Sequence, residues 1–102
     1  MDLKPGSRWR SSVCDAEVVV VRGCKDPVAL ECGGHAMTAF GAERPAGLAP
    51  SADRAEGVQV GKRYVDEAAG VEVLCSKAGA GSLSIDGRPL TRKEAKALPS
   101  SD

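Results

Sequence analysis

Aromatic side chains are scarce in this sequence. Its 102 residues contain one tryptophan (Trp9), one phenylalanine (Phe40) and one tyrosine (Tyr64). A chain of this length suits one small domain, and such a domain buries only about 60–65% of its unfolded surface. Aliphatic side chains must therefore build a modest core, and cores of this size are commonly supported by a metal ion, an oligomer or a partner protein.

The sequence also lacks an excess of charge of either sign. Fourteen basic and fourteen acidic side chains cancel, which argues against a dedicated nucleic-acid-binding protein, because such proteins carry a basic face. The longest apolar run, residues 18–21, is too short to cross a membrane. The polar N-terminal segment lacks the apolar centre of a signal peptide. We therefore expect a cytoplasmic protein whose thiols stay reduced.

The clearest strand signal lies in the first third of the chain. Glu17–Arg22 contains four successive valines, which predict a strand covered on both faces or at an interface. Residues 28–31 predict a second strand, antiparallel to the first. Gly33 and Gly34 follow it and permit a tight turn with positive φ.

The second half predicts a further β unit after a long connection. Residues 38–57 show no strand pattern and predict a loop or linker. Residues 58–90 predict a second β-hairpin unit. Within it, Val71–Lys77 is a strand that places Cys75 on the same face as two valines, and Asp86-Gly87 is a strong hairpin-turn dipeptide.

The C-terminal segment predicts the one helix of the chain, over residues 91–98. Thr91 and Glu94 have the spacing of a capping box, and Pro99 would end the helix. The predicted fold is therefore a mostly β single domain over residues 1–102, built from antiparallel hairpins with a short C-terminal helix.

An ordered set of motif positions occupies residues 6–37. A glycine, an aromatic residue, a cysteine turn, a valine-rich strand and a second cysteine turn ending in Gly-Gly-x-x-Met follow one another. This order resembles the desulforedoxin family, small β modules of the rubredoxin type in which four cysteines hold one iron and pairs of chains form dimers. The matching positions are Gly6, Trp9, Cys14, Cys32, Gly34 and Met37.

The resemblance implies an iron–thiolate site that this chain does not keep intact. Ser11 stands at the position of the family's first cysteine, and Gly33 stands at the position of the fourth. Because two of the four ligands are missing, the site cannot be carried over unchanged, although the β scaffold can persist without it.

A different four-ligand metal site can be assembled from this chain. Structural zinc sites take four ligands, usually Cys or His. Cys14 and Cys32 supply two, His35 follows Cys32 at Cys-x-x-His spacing, and Cys75 adds a thiol from the second half. The predicted metal ligands are therefore Cys14, Cys32, His35 and Cys75, and the metal would join both halves. Two alternatives stay open, because Cys75 also fits as a small core residue and His35 as a polar turn residue.

Two further features have simpler interpretations. Cys24 lies between a glycine and a lysine, and we interpret it as an exposed turn thiol. Residues 77–82 are rich in glycine but lack the order of a phosphate-binding loop. They predict a flexible hairpin turn between two strands.

Three functions are consistent with these residues. The first is a non-enzymatic accessory or adaptor protein stabilised by zinc, which suits a mixed Cys/His site better than iron does. The second is an iron-containing electron-transfer protein with altered ligation. The third is a metal-free protein-interaction domain on a degenerate desulforedoxin-like scaffold. An enzyme ranks last, because no carboxylate is positioned by the sequence to orient the single histidine. A protein partner or a homodimer is expected, with no role for nucleic acid or a membrane.

Overall fold

The chain is mostly β, as predicted. A computed structural model describes residues 3–23, 28–45 and 47–93, and these residues form short strands in two antiparallel sheets. One turn of 3₁₀ helix, Ala52–Arg54, lies between the strands. In the described segments no helix is long and apolar enough to cross a membrane. The strands are β1 (Arg8–Arg10), β2 (Glu17–Arg22), β3 (Leu30–Cys32), β4 (His35–Ala36), β5 (Thr38–Ala39), β6 (Arg63–Asp66), β7 (Val71–Lys77), β8 (Leu83–Ile85), β9 (Arg88–Pro89) and β10 (Thr91–Lys93).

Both sheets combine strands from the two halves of the chain. The six-stranded sheet has the order β10-β6-β7-β2-β1-β5, and the four-stranded sheet has the order β4-β3-β8-β9. All of these neighbours are antiparallel. One hydrophobic cluster takes inward-facing side chains from both sheets, including Val18 and Val73 from the larger sheet and Leu30 and Ile85 from the smaller one.

The valine-rich strand has the predicted bounds, but its predicted partner is wrong. β2 lies between β1 and β7, whereas β3, the strand that follows it in sequence, pairs with β4 and β8 in the other sheet. A run of β-branched residues encodes an extended backbone but does not encode which strand lies beside it. β7 spans seven residues against three for β3, so the longer ladder forms with β7.

The two faces of β2 differ in burial. Val18 and Val20 are buried in the core, whereas Val21 keeps 40% of its surface exposed. Among the described residues only one face of the strand is covered, and the alternative that the other face lies at an interface stays a prediction. Alternation of this kind is usual in an antiparallel sheet with one face on the core.

Two tight hairpin turns follow the sequence prediction. Gly33 and Gly34 connect β3 to β4 with φ values of 64° and 83°, and Asp86 and Gly87 connect β8 to β9 with φ values of 49° and 83°. Two successive residues with positive φ are what a two-residue type I′ hairpin turn requires. The Asp86 carboxylate also accepts a hydrogen bond from the Ala29 N–H, at 2.9 Å.

The start of the predicted C-terminal helix is a strand instead. Thr91–Lys93 form β10, which pairs with β6 at the edge of the six-stranded sheet. The capping-box pattern is local, and the backbone hydrogen bonds available at the edge of β6 override it for these three residues. Residues 94–98 of the predicted helix lie outside the described residues.

The connection over residues 38–57 is hydrogen-bonded to segments of both sheets. It begins with β5, which pairs with β1. Further along, the Ser51 N–H donates to the Gly33 carbonyl, and the Ser82 N–H donates to the Arg54 carbonyl, both at 2.8 Å. This segment therefore packs against the turn after β3 and against the segment before β8.

A buried carboxylate stabilises the outer part of the six-stranded sheet. The side chain of Glu72 on β7 is 6% exposed and accepts from Arg63 at 3.0 Å and from Lys93 at 3.2 Å. Burial by itself raises the pKa of Glu72, but the hydrogen bonds from Lys93 and Arg63 outweigh burial and hold this pKa below its ordinary value.

We expect Glu72→Gln to destabilise the protein at pH 7 and to have little effect at pH 3. A carboxyl group with a lowered folded-state pKa stabilises the fold above its unfolded pKa of about 4.3. That contribution is lost as the pH falls through the folded pKa. The difference at pH 7 should not exceed about 1 kcal/mol, because both cationic partners are half exposed. Urea denaturation at the two pH values measures it. Glu67→Gln, at an exposed position nearby, is the control, and an equal loss at both pH values would contradict the assignment.

Candidate functional site

The registers of two ladders bring the turn before β2, the end of β3 and residues 78–82 together. In the β2–β7 ladder Glu17 lies opposite Lys77, and in the β3–β8 ladder Cys32 lies opposite Leu83. Residues 78–82 connect these two ladder ends and pass from one sheet to the other. The turn before β2, which contains Cys14, and the end of β3 therefore meet beside this connecting segment.

Two of the four predicted metal ligands are in direct contact. The Sγ atoms of Cys14 and Cys32 lie 3.8 Å apart. Cys32 is fully buried, and Cys14 is partly exposed. We call these two residues the thiol pair. Cys14 precedes a strand of the six-stranded sheet and Cys32 ends a strand of the four-stranded sheet, so the thiol pair lies where the two sheets meet.

Ser11 organises the turn that carries Cys14. Its side-chain oxygen accepts hydrogen bonds from the N–H groups of Val13, at 3.0 Å, and Cys14, at 3.1 Å. The Ser11 N–H donates to the Ala16 carbonyl at 2.8 Å, which closes the turn. Local bonds of this kind from a serine side chain stabilise a non-helical turn. Ser11 is fully buried, and it occupies the position of the first cysteine in the resembled family.

Backbone without side chains covers the thiol pair. The Gly81 N–H donates to the Cys14 Sγ at 3.4 Å. A Cβ atom at Gly79 would lie 2.7 Å from that same sulfur, and a Cβ atom at Gly81 would lie 2.9 Å from the Cys32 Sγ. The glycines of residues 77–82 are therefore needed for close approach to the sulfurs. The prediction of a hairpin turn there is wrong, because β7 and β8 belong to different sheets.

The environment of Cys14 favours its thiolate. Burial raises the pKa of the Cys14 thiol, but a hydrogen bond from Ser11 lowers it, and the backbone groups of Ala16 and Gly81 and the thiol of Cys32 lower it further. The pKa of Cys14 lies below its ordinary value as a result. Hydrogen bonds donated to the charged form outweigh the cost of partial desolvation.

The environment of Cys32 has the opposite effect. Burial raises the pKa of the Cys32 thiol to about 12, and the nearby Cys14 and Cys75 add to the increase. Cys32 therefore keeps its proton when Cys14 has ionised. The pKa values of two thiols in contact are thus shifted in opposite directions, because one thiol is reached by more hydrogen-bond donors and the other is enclosed by the core.

Cys75 lies near the thiol pair but is bonded elsewhere. It is buried on β7 beside the core valines, as the strand pattern predicts, and its thiol donates to the Lys77 carbonyl at 3.1 Å. Burial raises the pKa of Cys75, and the charge of Cys14 raises it further. None of the hydrogen bonds among the described residues joins Cys75 to the thiol pair.

The remaining candidates are placed less centrally. His35 lies opposite Cys32 in the β3–β4 hairpin and is partly buried. No hydrogen bond joins it to a thiol in the described part of the chain. Within residues 3–23, 28–45 and 47–93, no group of three or more His, Cys, Asp or Glu residues is arranged to hold a metal ion. Cys24 lies outside the described residues.

Gly33 occupies a position at which a side chain does not fit. Its φ of 64° belongs to the type I′ turn. A Cβ atom at this position would lie 2.7 Å from the Val13 side chain and 3.1 Å from the backbone of Pro50. The packing of the 38–57 connection against this turn therefore excludes a side chain at Gly33.

Comparison with protein-family models, with curated proteins and with solved structures gave no match. The likeness to the desulforedoxin family therefore rests on the motif positions of residues 6–37.

The contributions of Ser11, Gly79 and Gly81 to the site were not evident from the sequence. A serine three residues before a cysteine is an ordinary turn signal, and glycines between two strands are typical of a hairpin. A signal was nevertheless present, since Gly79 and Gly81 alternate with single alanines. Such alternation indicates that one face of the segment lies against other backbone.

We expect Gly79→Ala to destabilise the protein by about 1–3 kcal/mol, as overpacking a tight site does. The added methyl group would contact the backbone and the Cβ of Ala16 as well as the Cys14 sulfur. Ala80→Ser is the matched control, because it adds one atom at an exposed position of the same segment and should change stability by less than about 0.5 kcal/mol. Urea denaturation of both variants checks this. Equal stabilities would show that the glycine is not required for packing.

Proposed function

We propose that this protein is a small non-enzymatic accessory or adaptor β protein, stabilised by a zinc ion bound at the thiol pair. Over residues 6–37 the proposed scaffold is desulforedoxin-like, with its original iron site altered. The proposal includes a cytoplasmic location, in which the thiols remain available to a metal, and a protein partner or a second copy of the chain as the interacting molecule. Nucleic acid and membranes have no part in it.

The observation that carries the proposal is the separation of the two sulfurs. The Cys14 and Cys32 Sγ atoms are 3.8 Å apart. Two thiolates bound to one tetrahedral zinc at about 2.3 Å stand about 3.8 Å from each other. The pair therefore already has the spacing that two ligands of one tetrahedral metal need. The Gly81 N–H directed at the Cys14 sulfur is the type of outer hydrogen bond that orients a metal ligand.

Cys75 and His35 complete the proposed set of four ligands. Cys75 raises the pKa of Cys32, and Cys14 raises the pKa of Cys75. Zinc binding would require Cys75 to give up its hydrogen bond to Lys77. His35 is the cross-strand neighbour of Cys32 across a two-residue turn, and cross-strand neighbours share one face of a hairpin. A zinc ion held by these residues would connect the two sheets and both halves of the chain.

An accessory role is favoured over catalysis by the position of the site. The thiol pair lies at the junction of the sheets, below backbone and beside the core, which suits a site that holds parts of the fold together. Zinc needs no redox role there. Iron is the alternative metal, because tetrahedral thiolate sites also suit iron, and it would imply electron transfer.

We expect the chain purified without exposure to oxygen to contain about one zinc ion per molecule, as a closed structural site does. Cys14→Ser and Cys32→Ser should abolish binding, and Cys75→Ser and His35→Ala should weaken it. Cys24→Ser, which removes a thiol outside the proposed set, is the control and should retain zinc. Elemental analysis and visible absorption measure the result. Coloured, iron-containing protein would move electron transfer to first place, and metal-free wild-type protein would contradict the proposal.

We expect Ser11→Cys to raise zinc affinity by at least about tenfold, because the new thiolate would take the place of His35 among the four ligands. A factor of about ten is the lower end of the changes that altered metal-site partners cause. The new sulfur would occupy a buried position that already receives two N–H groups and contacts both members of the thiol pair. Ser12→Cys is the control, because the neighbouring Ser12 side chain is bonded instead to Ala36 and Thr38. Competition with a chromophoric chelator gives the affinities. An equal gain in both variants would show that position 11 is not part of the site.

A metal-free protein-interaction domain is the second candidate. It is favoured by the burial of Cys32 and Cys75, which are 0% and 1% exposed and belong to the hydrophobic cluster. Free cysteine is a common small core residue. Under this alternative Cys75→Ser would cost about 1–3 kcal/mol for a buried hydroxyl and would leave metal content unchanged.

A further inference from the structure

The two members of the thiol pair differ sharply in access to solvent. Their sulfurs are 3.8 Å apart, yet Cys14 is partly exposed while Cys32 is fully buried. Cys14 is therefore the member of the pair that lies nearer to solvent, whereas Cys32 is enclosed by the core. A thiol that is attacked from outside and a second thiol in contact behind it are the two components of a dithiol exchange centre.

The local structure allows the two sulfurs to approach further. A disulfide requires a separation of about 2.05 Å, so the sulfurs must move together by about 1.8 Å from their present 3.8 Å. Cys14 lies in the turn between β1 and β2, outside the ladder that pairs Arg10 with Glu17. Rotation of its side chain therefore breaks no ladder hydrogen bond. The Gly81 backbone lies against the pair without a side chain, and its N–H bond to the Cys14 sulfur would lengthen as the sulfurs come together.

The third thiol, that of Cys75, does not take part in the contact between Cys14 and Cys32. Cys75 donates its S–H to the Lys77 carbonyl at 3.1 Å, and among the described residues no hydrogen bond joins it to Cys14 or Cys32. It therefore serves as an internal comparison, because it is also buried and nearby but is directed at a different partner.

We propose that, in the metal-free chain, Cys14 and Cys32 form a dithiol–disulfide couple that exchanges with small disulfides such as oxidised glutathione. The Cys14 thiolate attacks one sulfur of the small disulfide, the bond between the two glutathione sulfurs breaks, and one glutathione leaves as a thiolate. The Cys32 thiol gives up its proton and attacks the Cys14 sulfur, and the second glutathione leaves. Two protein thiols are oxidised to one disulfide, one small disulfide is reduced to two thiols, and the two protons released by the protein are taken up by the leaving thiolates.

The proposed exchange between Cys14 and Cys32 does not depend on whether the chain binds zinc. It uses the same two sulfurs as the proposed metal site, so bound zinc should protect them from exchange. A chain that binds no metal but forms the disulfide would disprove the proposed zinc role and leave the exchange activity intact. A chain that binds zinc but forms no Cys14–Cys32 disulfide after chelation would disprove the exchange activity and leave the proposed zinc role intact.

Oxidation of the reduced, chelator-treated full-length chain with excess oxidised glutathione tests the proposal. We expect intact-mass analysis of the folded protein to show loss of two hydrogens with release of two molecules of reduced glutathione per chain, apart from a glutathione adduct at Cys24 that releases one more and is located separately. Peptide mapping should locate the new bond between Cys14 and Cys32. A bond from Cys14 to Cys75 would overturn the assignment, and so would a lack of reaction in the folded state. Because the wild-type chain is used, this test does not require any variant to fold.

Variants in a Cys24→Ser background separate the attacking role of Cys14 from the resolving role of Cys32. Cys32→Ser should accumulate a stable adduct of one glutathione at Cys14, because no second thiol resolves it. Cys14→Ser should form neither the adduct nor the disulfide, since Cys32 is inaccessible. The Cys24→Ser background protein, which keeps Cys14, Cys32 and Cys75, is the control. An adduct on Cys32 in the Cys14→Ser variant, in protein that retains its native circular dichroism, would contradict the division into an exposed attacking thiol and a buried resolving thiol.

Discussion

The antiparallel ladder between β2 and β7 joins the two halves of the chain, and the position of the thiol pair follows from its register. Because Glu17 lies opposite Lys77, the residues just before β2 must lie beside the residues just after β7. The second ladder, between β3 and β8, ends with Cys32 opposite Leu83. The short connection between β7 and β8 therefore fixes how far apart the two cysteines can be.

This arrangement makes the site sensitive to changes in registry. A one-residue slip of β2 against β7 would turn Val18 and Val20 away from the core and would move Cys14 along the connecting segment. The same apolar burial that selects the register thus positions the sulfurs. With one Trp, one Phe and one Tyr in the chain, the core depends largely on aliphatic side chains and on the two buried cysteines. Structural and chemical roles of these thiols are therefore not separable by burial alone.

Local features of the fold could be read from the sequence, whereas the pairing of distant segments could not. The valine run of β2, the inward position of Cys75 on β7 and the turn at Asp86-Gly87 each depend on a few neighbouring residues, and the structure has all three. The partner of β2 depends on which strand offers the longer matching apolar face, and a local pattern does not contain that information. For the same reason Thr91 was predicted to begin a helix, although the edge of β6 draws it into a strand. At the site the cysteines were evident from their chemistry. Gly79 and Gly81 were not, because a residue without a side chain shows its role only when the opposing surface is known.

The glycine cover over the thiol pair also restricts how this site can diverge among descendants of the sequence. Most protein sites are tuned by exchanging the side chains that line them, but the upper wall here is peptide backbone at Gly79 and Gly81, where even a methyl group meets an obstacle. The hydrogen bond from the Gly81 N–H to the Cys14 sulfur comes from the backbone, so exchange of neighbouring side chains does not remove it. Substitution of a side chain can change the properties of the sulfurs from the side of Ser11, which acts on both thiols. We therefore expect little variation at Gly79 and Gly81 among descendants of the sequence and more variation at Ser11.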